Sequence, residues 1–420
     1  MNLDNFKLNR SQFFILYLFL TFWLFARQNL DFSVNYFKYT HYLFNYEYEF
    51  IKRGFVGEIL SFFYGFGSIN HDVVNYLSLV SLIILSLFFF HFFVGSLNKK
   101  NDISKLIFSV MVFTSPLTTQ HFIYDLGRFD IINFVITFLC FFIIEKFYKK
   151  NLLVFILIGL LISIMILIHE ASFFMFVFPI FAFWFFKNSY KSSIIVQIIL
   201  LSFISFLTFI ISTAGIAKAL TPEAYYELLR TKEIYIGEWL IPNPYVSKYS
   251  IQILYGGLYE DFDQGIFKTL FADAINVGLS KWWLIHNFIL IFSLLPLFYL
   301  VFVIFKDFFF KSKIQSKILL LSCFSPLGLF LFSYDHMRYW SLIFTNLFII
   351  FFILYKENNF YKEILNTNIK RFKKLNIFLI ILGLVLGPVG NYQSFGFAKR
   401  IIGNTLVEDV NKWHRIKIKD

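Results

Sequence analysis

Charge is scarce in this chain. Only 15% of its 420 residues are Asp, Glu, Lys or Arg, whereas a soluble globular domain carries about 25%. An ordinary water-facing surface is thereby excluded for most of its length. Cysteine is nearly absent. The two present, Cys140 and Cys323, both fall inside apolar runs, which excludes a disulfide scaffold or a cysteine-held metal cluster. No Walker A loop, Gly-rich dinucleotide motif or nucleophile elbow occurs, so ATP-driven, redox and serine-hydrolase chemistries lose support. No H-E-x-x-H or similar spacing is found. No cofactor is called for, and a divalent metal is allowed rather than required. Nor is there an internal repeat of the kind that marks inverted-repeat transporters.

Apolar sequence fills the space that charge leaves. Hydrophobic residues make up 58% of the chain, and the mean hydropathy is +0.67. Apolar runs of about 18 residues or more recur, as membrane-spanning helices require. They are continuous rather than alternating, which excludes a β-barrel. The fold class expected is all-α and polytopic, one transmembrane domain over residues 1–420 with about eleven spans. Span one is Gln12 to Ala26, two Val73 to Leu97, three Leu106 to Thr118 and four Ile131 to Glu145. Five is Leu152 to Ile168, six Ala171 to Phe186 and seven Ile194 to Ala214. Eight to eleven are Trp282 to Phe305, Ile318 to Ser333, Tyr339 to Tyr355 and Ile377 to Val389. The first run has a signal-like basic flank but leaves through Phe25-Ala26-Arg27-Gln28, without a small-x-small cleavage site, and is kept as a span.

The loops sort by charge. One set holds twenty Lys and Arg, from Lys7 and Arg10 through Lys146, Lys149 and Lys150 to Arg371, Lys373 and Lys374. The short loops of the other set hold six: Arg27, Lys38, Lys52, Arg53, Arg128 and Arg338. The positive-inside rule makes the first set, and the N-terminus, cytoplasmic. It also absorbs most of the net charge of +12, so no nucleic-acid partner is implied; the bilayer is the partner expected. The 63 Phe are read as bias among interchangeable apolar residues, not as an aromatic site.

Outside the spans, three outer segments are expected to have structure of their own: 27–72, the large loop 215–281 and the tail 390–420. Within the first, Gly54 to Gly67 is apolar but short and Gly-punctuated. It fits an interfacial or re-entrant helix carrying Glu58 on its outward face. Within the large loop, Thr221-Pro222-Glu223 reads as a capped helix start.

The remaining ionisable residues gather at the outer ends of spans in short clusters. Glu47, Glu49, Lys52, Arg53 and Glu58 lie in the first outer segment, and Asp125, Arg128 and Asp130 lead into span four. His169 and Glu170 fill a tight turn between spans five and six, and Tyr334-Asp335-His336-Met337-Arg338 precedes Tyr339-Trp340. Arg gives bidentate contacts to phosphate oxygens, while Glu or His can accept a proton. Asp130 also reads as a helix N-cap; capping does not account for Arg128. A charged pair in so tight a turn as His169-Glu170 must be paired or face a polar cavity. A coupled transporter would carry ionisable residues near mid-span, and few are found there.

This arrangement resembles the multi-spanning glycosyltransferases of bacterial surface-polysaccharide assembly, at the level of topology and cluster placement. It is similar to O-antigen polymerases of the Wzy type in its length, its large outer loop and its outer arginines. It is similar to GT-C transferases in the acidic residues before an interfacial helix, although Tyr48 separates Glu47 from Glu49 where an adjacent pair is common. The outer tail departs from the polymerases' usual cytoplasmic C-terminus. The polymerase resemblance implies an enzyme of the bacterial inner membrane acting on a polyprenyl-pyrophosphate-linked glycan, with a chain-length regulator as a further partner. Arg53, Arg128, Arg338 and His336 would hold the pyrophosphate. His169, Glu170, Glu58 or Asp335 would be catalytic, and Glu49, Asp125, Tyr334 and Trp340 would contact substrate. The GT-C resemblance implies addition of a single sugar from a polyprenyl-phosphate donor. The non-enzyme alternative is a lipid-linked glycan flippase.

Overall fold

The computed structural model describes residues 34, 36–65, 69–95, 103–231, 233–236, 239–242, 290–331, 336–357, 359–386, 388 and 389, with Leu20 and Phe288. Among these residues the regular secondary structure is helical except for one antiparallel hairpin, β1 (Glu233–Ile236) with β2 (Trp239–Pro242). Among the described residues six helices are long and apolar enough to cross a membrane. The chain is a polytopic α-helical membrane protein.

Helices α1 (Tyr36–His41) and α2 (Phe55–Tyr64) precede the long α3 (His71–Gly95). Next come α4 (Ile103–Thr114), the short α5 (Thr119–Tyr124), α6 (Phe129–Phe147) and α7 (Asn151–Ile168). A π-helical turn (Phe173–Val177) leads into α8 (Phe178–Lys187), followed by α9 (Lys191–Ala214) and α10 (Pro222–Thr231). Beyond the hairpin are α11 (Leu295–Lys311), α12 (Ile314–Ser322), a 3-10 segment (Ser325–Leu331), α13 (His336–Glu357), α14 (Asn359–Arg371) and α15 (Lys373–Leu386). Spans two to seven and nine to eleven each coincide with one or two of these helices. Most of span one lies outside the described residues. Within span eight, α11 starts after a break at Leu294 with Pro296 in its first turn, where the missing N–H costs nothing. Thr221 caps α10 as expected, its Oγ1 accepting the Ala224 N–H at 3.2 Å.

The residues fall into two compact units, Asp31–Leu85 with Leu126–Ile266, and Met1–Leu30 with Ser86–Asp125 and Phe267–Asp420. In the first of these, here called the loop-bearing unit, α7 packs on α6 and α9, and α8 packs on α6. Aromatic edges fill the seams, with Phe134 against Phe176 at 4.6 Å and Phe141 against Phe183 at 5.2 Å. The outer faces of α7 and α9 expose Leu152, Leu160, Ile198, Phe203, Phe206 and Phe209, surfaces that suit hydrocarbon and not water. Helix ends assigned to one side meet one another. Lys187 pairs with Glu145 at 3.4 Å, and Asn188 Nδ2 donates to Tyr148 O at 2.8 Å and Asn151 Oδ1 at 3.1 Å.

The other unit is organised by a broken helix. Ser115-Pro116-Leu117-Thr118 interrupts the α4–α5 run, and a break in so buried a span frees carbonyls that must find donors. Thr118 Oγ1 donates to Val112 O, and Gln120 Nε2 donates to Thr114 O. Ser341 Oγ on α13 donates to Leu117 O at 2.7 Å. Gln120 Nε2 also reaches Gly383 O on α15 at 2.9 Å, clamping α15 to α4. Gly383 is required there because a Cβ would run into the Thr114 carbonyl.

One helix falls in a segment expected to be a basic loop. Residues 356–374 contain α14, which buries Tyr361, Ile364, Leu365, Asn368 and Ile369, the spacing of an amphipathic face. Asn368 Nδ2 donates to Asp307 Oδ2 at 2.8 Å, and the Ser316 and Tyr361 hydroxyls lie 2.6 Å apart. Its lysines had marked it as a loop, and its apolar period was the stronger signal.

Gly383→Ala should lower stability by about 1–3 kcal/mol, the usual cost of overpacking, in thermal unfolding of the detergent-solubilised protein. Gly159→Ala, whose Cβ meets only the movable Leu200 methyl at 3.1 Å, should cost less than about 1 kcal/mol. Equal losses would mean that the Thr114 contact is not tight.

Candidate functional site

The site is built on a loop clamped at several points. After α1 the chain turns through Glu47-Tyr48-Glu49-Phe50-Ile51-Lys52 to Arg53. Glu49 Oε1 accepts the N–H groups of Lys218 and Ala219, each at 2.7 Å, beyond the end of α9. The Lys52 N–H donates to Gly215 O at 2.8 Å. Glu58, in the first turn of α2, turns back to accept the Tyr46 N–H at 2.9 Å, so its carboxylate faces the loop and not outward. Burial first, and then the Glu58 charge, push the Tyr46 hydroxyl up to about 12. Gly57 brings α2 against the backbone of Tyr42 and Phe44, too close for any side chain.

These anchors hold Arg53 in an uncommon conformation. Its φ of 67° places it in the left-handed region, the sole non-glycine there among the described residues, at a cost of order 1 kcal/mol or more. The guanidinium is thereby aimed at Glu170. Arg53 Nε lies 3.1 Å from both Glu170 oxygens, and Nη2 lies 2.5 Å from Oε1. This is the two-pronged geometry of strong charge-assisted bonds. The pair is mostly buried, with 18% and 14% of the two side chains exposed. The third guanidinium nitrogen, Nη1, is not committed to Glu170.

Glu170 comes from the turn between α7 and the π-helical segment. His169 Nδ1 lies 3.4 Å from Glu170 Oε2 and 3.2 Å from the Ala171 N–H. One nitrogen cannot donate to the first and accept from the second at once. The backbone N–H always carries its hydrogen, so a bare Nδ1 accepts from Ala171, whereas an Nδ1 that carries a hydrogen, in the neutral Nδ1–H tautomer or the protonated ring, donates to Glu170. The turn is tied to α6 through Asn133 Nδ2, which donates to Ser172 Oγ at 2.6 Å inside the core. The π turn that follows spreads the backbone beside the pair, a distortion common at functional sites. Burial, the largest single influence, pushes the Glu170 carboxyl up. The Arg53 guanidinium, followed by His169, outweighs it and holds the group well below the ordinary value of 4.5.

Of the expected site residues, Arg53, His169 and Glu170 are brought together. Glu49 and Glu58 brace the loop that presents them. Arg128 occupies the N-cap position of α6 and is half-buried. Asp130 is not the cap but sits in the first turn, buried, where its charge favours the helix N-terminus. In the other unit, Asp125 pairs with His121 at 3.4 Å, both nearly inaccessible. Arg338 is buried near the start of α13, and Trp340 lies edge-on to Phe298 at 5.3 Å. Tyr334 and Asp335 lie outside the described residues, as does the side chain of His336. Sequence reasoning passed over His121, Asn133 and Ser172. His121 had a legible signal in its spacing of four from Asp125; Asn133 and Ser172 had none, being single polar residues in apolar runs.

Compared with models of known families, with characterised proteins and with solved structures, the chain matches none. Its class is defined by its own architecture: a multi-pass helical membrane protein with a partly buried Arg–Glu–His cluster in its loop-bearing unit.

Arg53→Ala and Glu170→Ala should each cost roughly 3 kcal/mol, since each strands the other charge. The double variant should lose less than the sum; additive losses in denaturation would show that the two groups do not interact. Because Glu170 is depressed in the folded state, its stabilisation is complete above its ordinary value of 4.5. It is lost as pH falls through the lower folded value. Melting temperature followed against pH should show this acid limb in the parent and lack it in Glu170→Gln.

Proposed function

We propose that the chain is a glycosyltransferase of the bacterial inner membrane, with about eleven spans, a cytoplasmic N-terminus and its site at the extracytoplasmic face. Its substrate would be a polyprenyl-pyrophosphate-linked glycan, and its product a surface polysaccharide extended by one repeat unit at each transfer. The observation that carries this is the clamped Arg53 beside Glu170 and His169: one oxyanion-binding fork and two proton-accepting groups in one partly buried place.

In the reaction, a hydroxyl of the acceptor unit attacks the anomeric carbon. Its proton passes to Glu170 or His169 as the new C–O bond forms. The old C–O bond breaks with its electron pair remaining on the pyrophosphate oxygen, whose growing charge Arg53 stabilises. The leaving group is already activated, so the transfer needs no nucleotide. Arg128, in the same unit as Arg53, is proposed as a further pyrophosphate contact, and a chain-length regulator as a partner. Single-sugar transfer of the GT-C kind is less favoured, because Glu49 and Glu58 are engaged by backbone N–H groups of the loop.

A second proposal is favoured by one observation. His121 and Asp125 are buried at the end of the discontinuous α4–α5 run, and ionisable residues on a broken helix are a mark of transport paths. On that basis the chain would be a lipid-linked glycan flippase.

Deleting the gene in its native host and resolving the surface polysaccharide on a gel separates these. Single capped repeat units without a ladder are expected. A ladder shifted by one sugar would favour GT-C transfer, and loss of all surface glycan with precursor held on the inner leaflet would favour the flippase. In complementation, Arg53→Ala should fail to restore the ladder although inserted normally, as should Arg128→Ala. Full-length polymer from Arg53→Ala would sink the mechanism.

A further inference from the structure

Arg53 meets an anion before any ligand arrives. Glu170 takes two prongs of its guanidinium at 2.5–3.1 Å, the same fork that would hold a phosphate oxygen pair. The backbone at Arg53 is held left-handed by anchors that do not involve Glu170: the Lys52 N–H on Gly215 O, Glu49 on the Lys218 and Ala219 N–H groups, and Glu58 on the Tyr46 N–H. The stem of Arg53 is therefore held in place whether or not the carboxylate is there. Glu170 keeps a second partner when Arg53 leaves, since His169 Nδ1 lies 3.4 Å from Oε2.

We propose that Glu170 is an internal placeholder in the anion seat of Arg53, and that the phosphate or pyrophosphate oxyanion of the substrate displaces it, freeing the carboxylate to receive the acceptor hydroxyl proton. This rests on the glycosyl-transfer proposal above and adds an order of events: the proton acceptor is disabled until the leaving group is seated. The physical basis is that the carboxylate's acidity has two opposed causes. Burial raises its proton affinity and the guanidinium lowers it. Once Arg53 turns to the ligand, the largest lowering influence is removed while burial and the added negative charge both raise the carboxylate's proton affinity, and with only His169 still opposing them it becomes a stronger base. An empty site then has no unpaired buried charge, and an occupied one has a base.

The test is binding of inorganic pyrophosphate and of farnesyl pyrophosphate to the full chain in nanodiscs, by calorimetry, for the parent, Glu170→Gln, Glu170→Asp and Arg53→Ala. A placeholder competes with the ligand. Glu170→Gln should therefore bind pyrophosphate about tenfold more tightly than the parent, a modest fraction of what a buried charge pair can contribute, while losing transfer activity. Glu170→Asp, which keeps the charge but shortens the reach, should bind with intermediate affinity and retain part of the activity. That covers the case in which Glu170→Gln fails to fold. Arg53→Ala should not bind either probe. Unchanged or weaker binding by folded Glu170→Gln and Glu170→Asp would make Glu170 a brace and overturn the placeholder. Equal affinity for the two probes, with the tightening still present, would assign the seat to a free anion. In that case the displacement would stand and the lipid-linked substrate would fall. No binding of either probe by any variant would overturn both.

Discussion

An arginine and a glutamate facing each other across a poorly solvated site depend on one another. Either one alone would be a charge in low dielectric, which costs several kcal/mol; together they are tolerable if the geometry is good. Much of the loop-bearing unit's polar end serves that geometry. Glu49, Lys52 and Glu58 tie the 46–58 loop to the end of α9 and the start of α2. Asn133 and Ser172 tie the opposite turn to α6. The left-handed Arg53 and the π-helical turn after Glu170 are both departures from relaxed backbone, and they occur on the two strands of chain that supply the pair. Backbone strain on both sides of one contact is easier to explain by what that contact does than by what the fold needs.

A different constraint governs the other unit. There the difficulty is a helix broken inside a buried, apolar span, and the cost is counted in carbonyls rather than charges. Thr118, Gln120 and Ser341 each supply a donor to an oxygen released at the break, and Gln120 extends the repair to α15. This explains why a 14-residue helix, short for crossing a membrane, is held firmly: it is bonded to a neighbour through Gly383 as well as packed on it. It also separates two uses of polar residues that look alike in sequence. Thr114, Thr118 and Gln120 complete a backbone, whereas Arg53, Glu170 and His169 pair with one another through their side chains.

Hydropathy and charge made most of the helices legible. Their signal is long, additive and independent of tertiary contacts, so spans two to seven emerged with boundaries a few residues from the helices observed. The short helix α2 and the capped start of α10 were legible too, through Gly54, Gly67 and Thr221-Pro222. What failed was local competition between signals. Lysines hid the amphipathic period of α14, and a plausible N-cap at Asp130 hid the fact that α6 begins at Phe129. At the site, residue types were legible and partnerships were not. Glu49, Glu58 and Glu170 carry the same chemistry in sequence; only the approach of Gly215–Ala219 and of Tyr46 turns the first two into loop braces. Arg53 and Glu170 are 117 positions apart, and no periodicity in the chain connects them.

That division bears on which carboxylate can take part in chemistry. A carboxylate whose oxygen accepts one or two backbone N–H groups is held by partners that cannot move without unfolding the loop. A carboxylate held by a side-chain guanidinium is held by a partner that can exchange. Arg53 can rotate its fork toward another anion at the cost of a few torsions, while the Lys218 and Ala219 N–H groups are fixed in the chain. Among the acidic residues gathered around this loop, Glu170 therefore combines burial, a charged partner and a releasable bond. Those three properties are what a proton acceptor needs if it is to stay ionised in an empty site and gain basicity in a filled one.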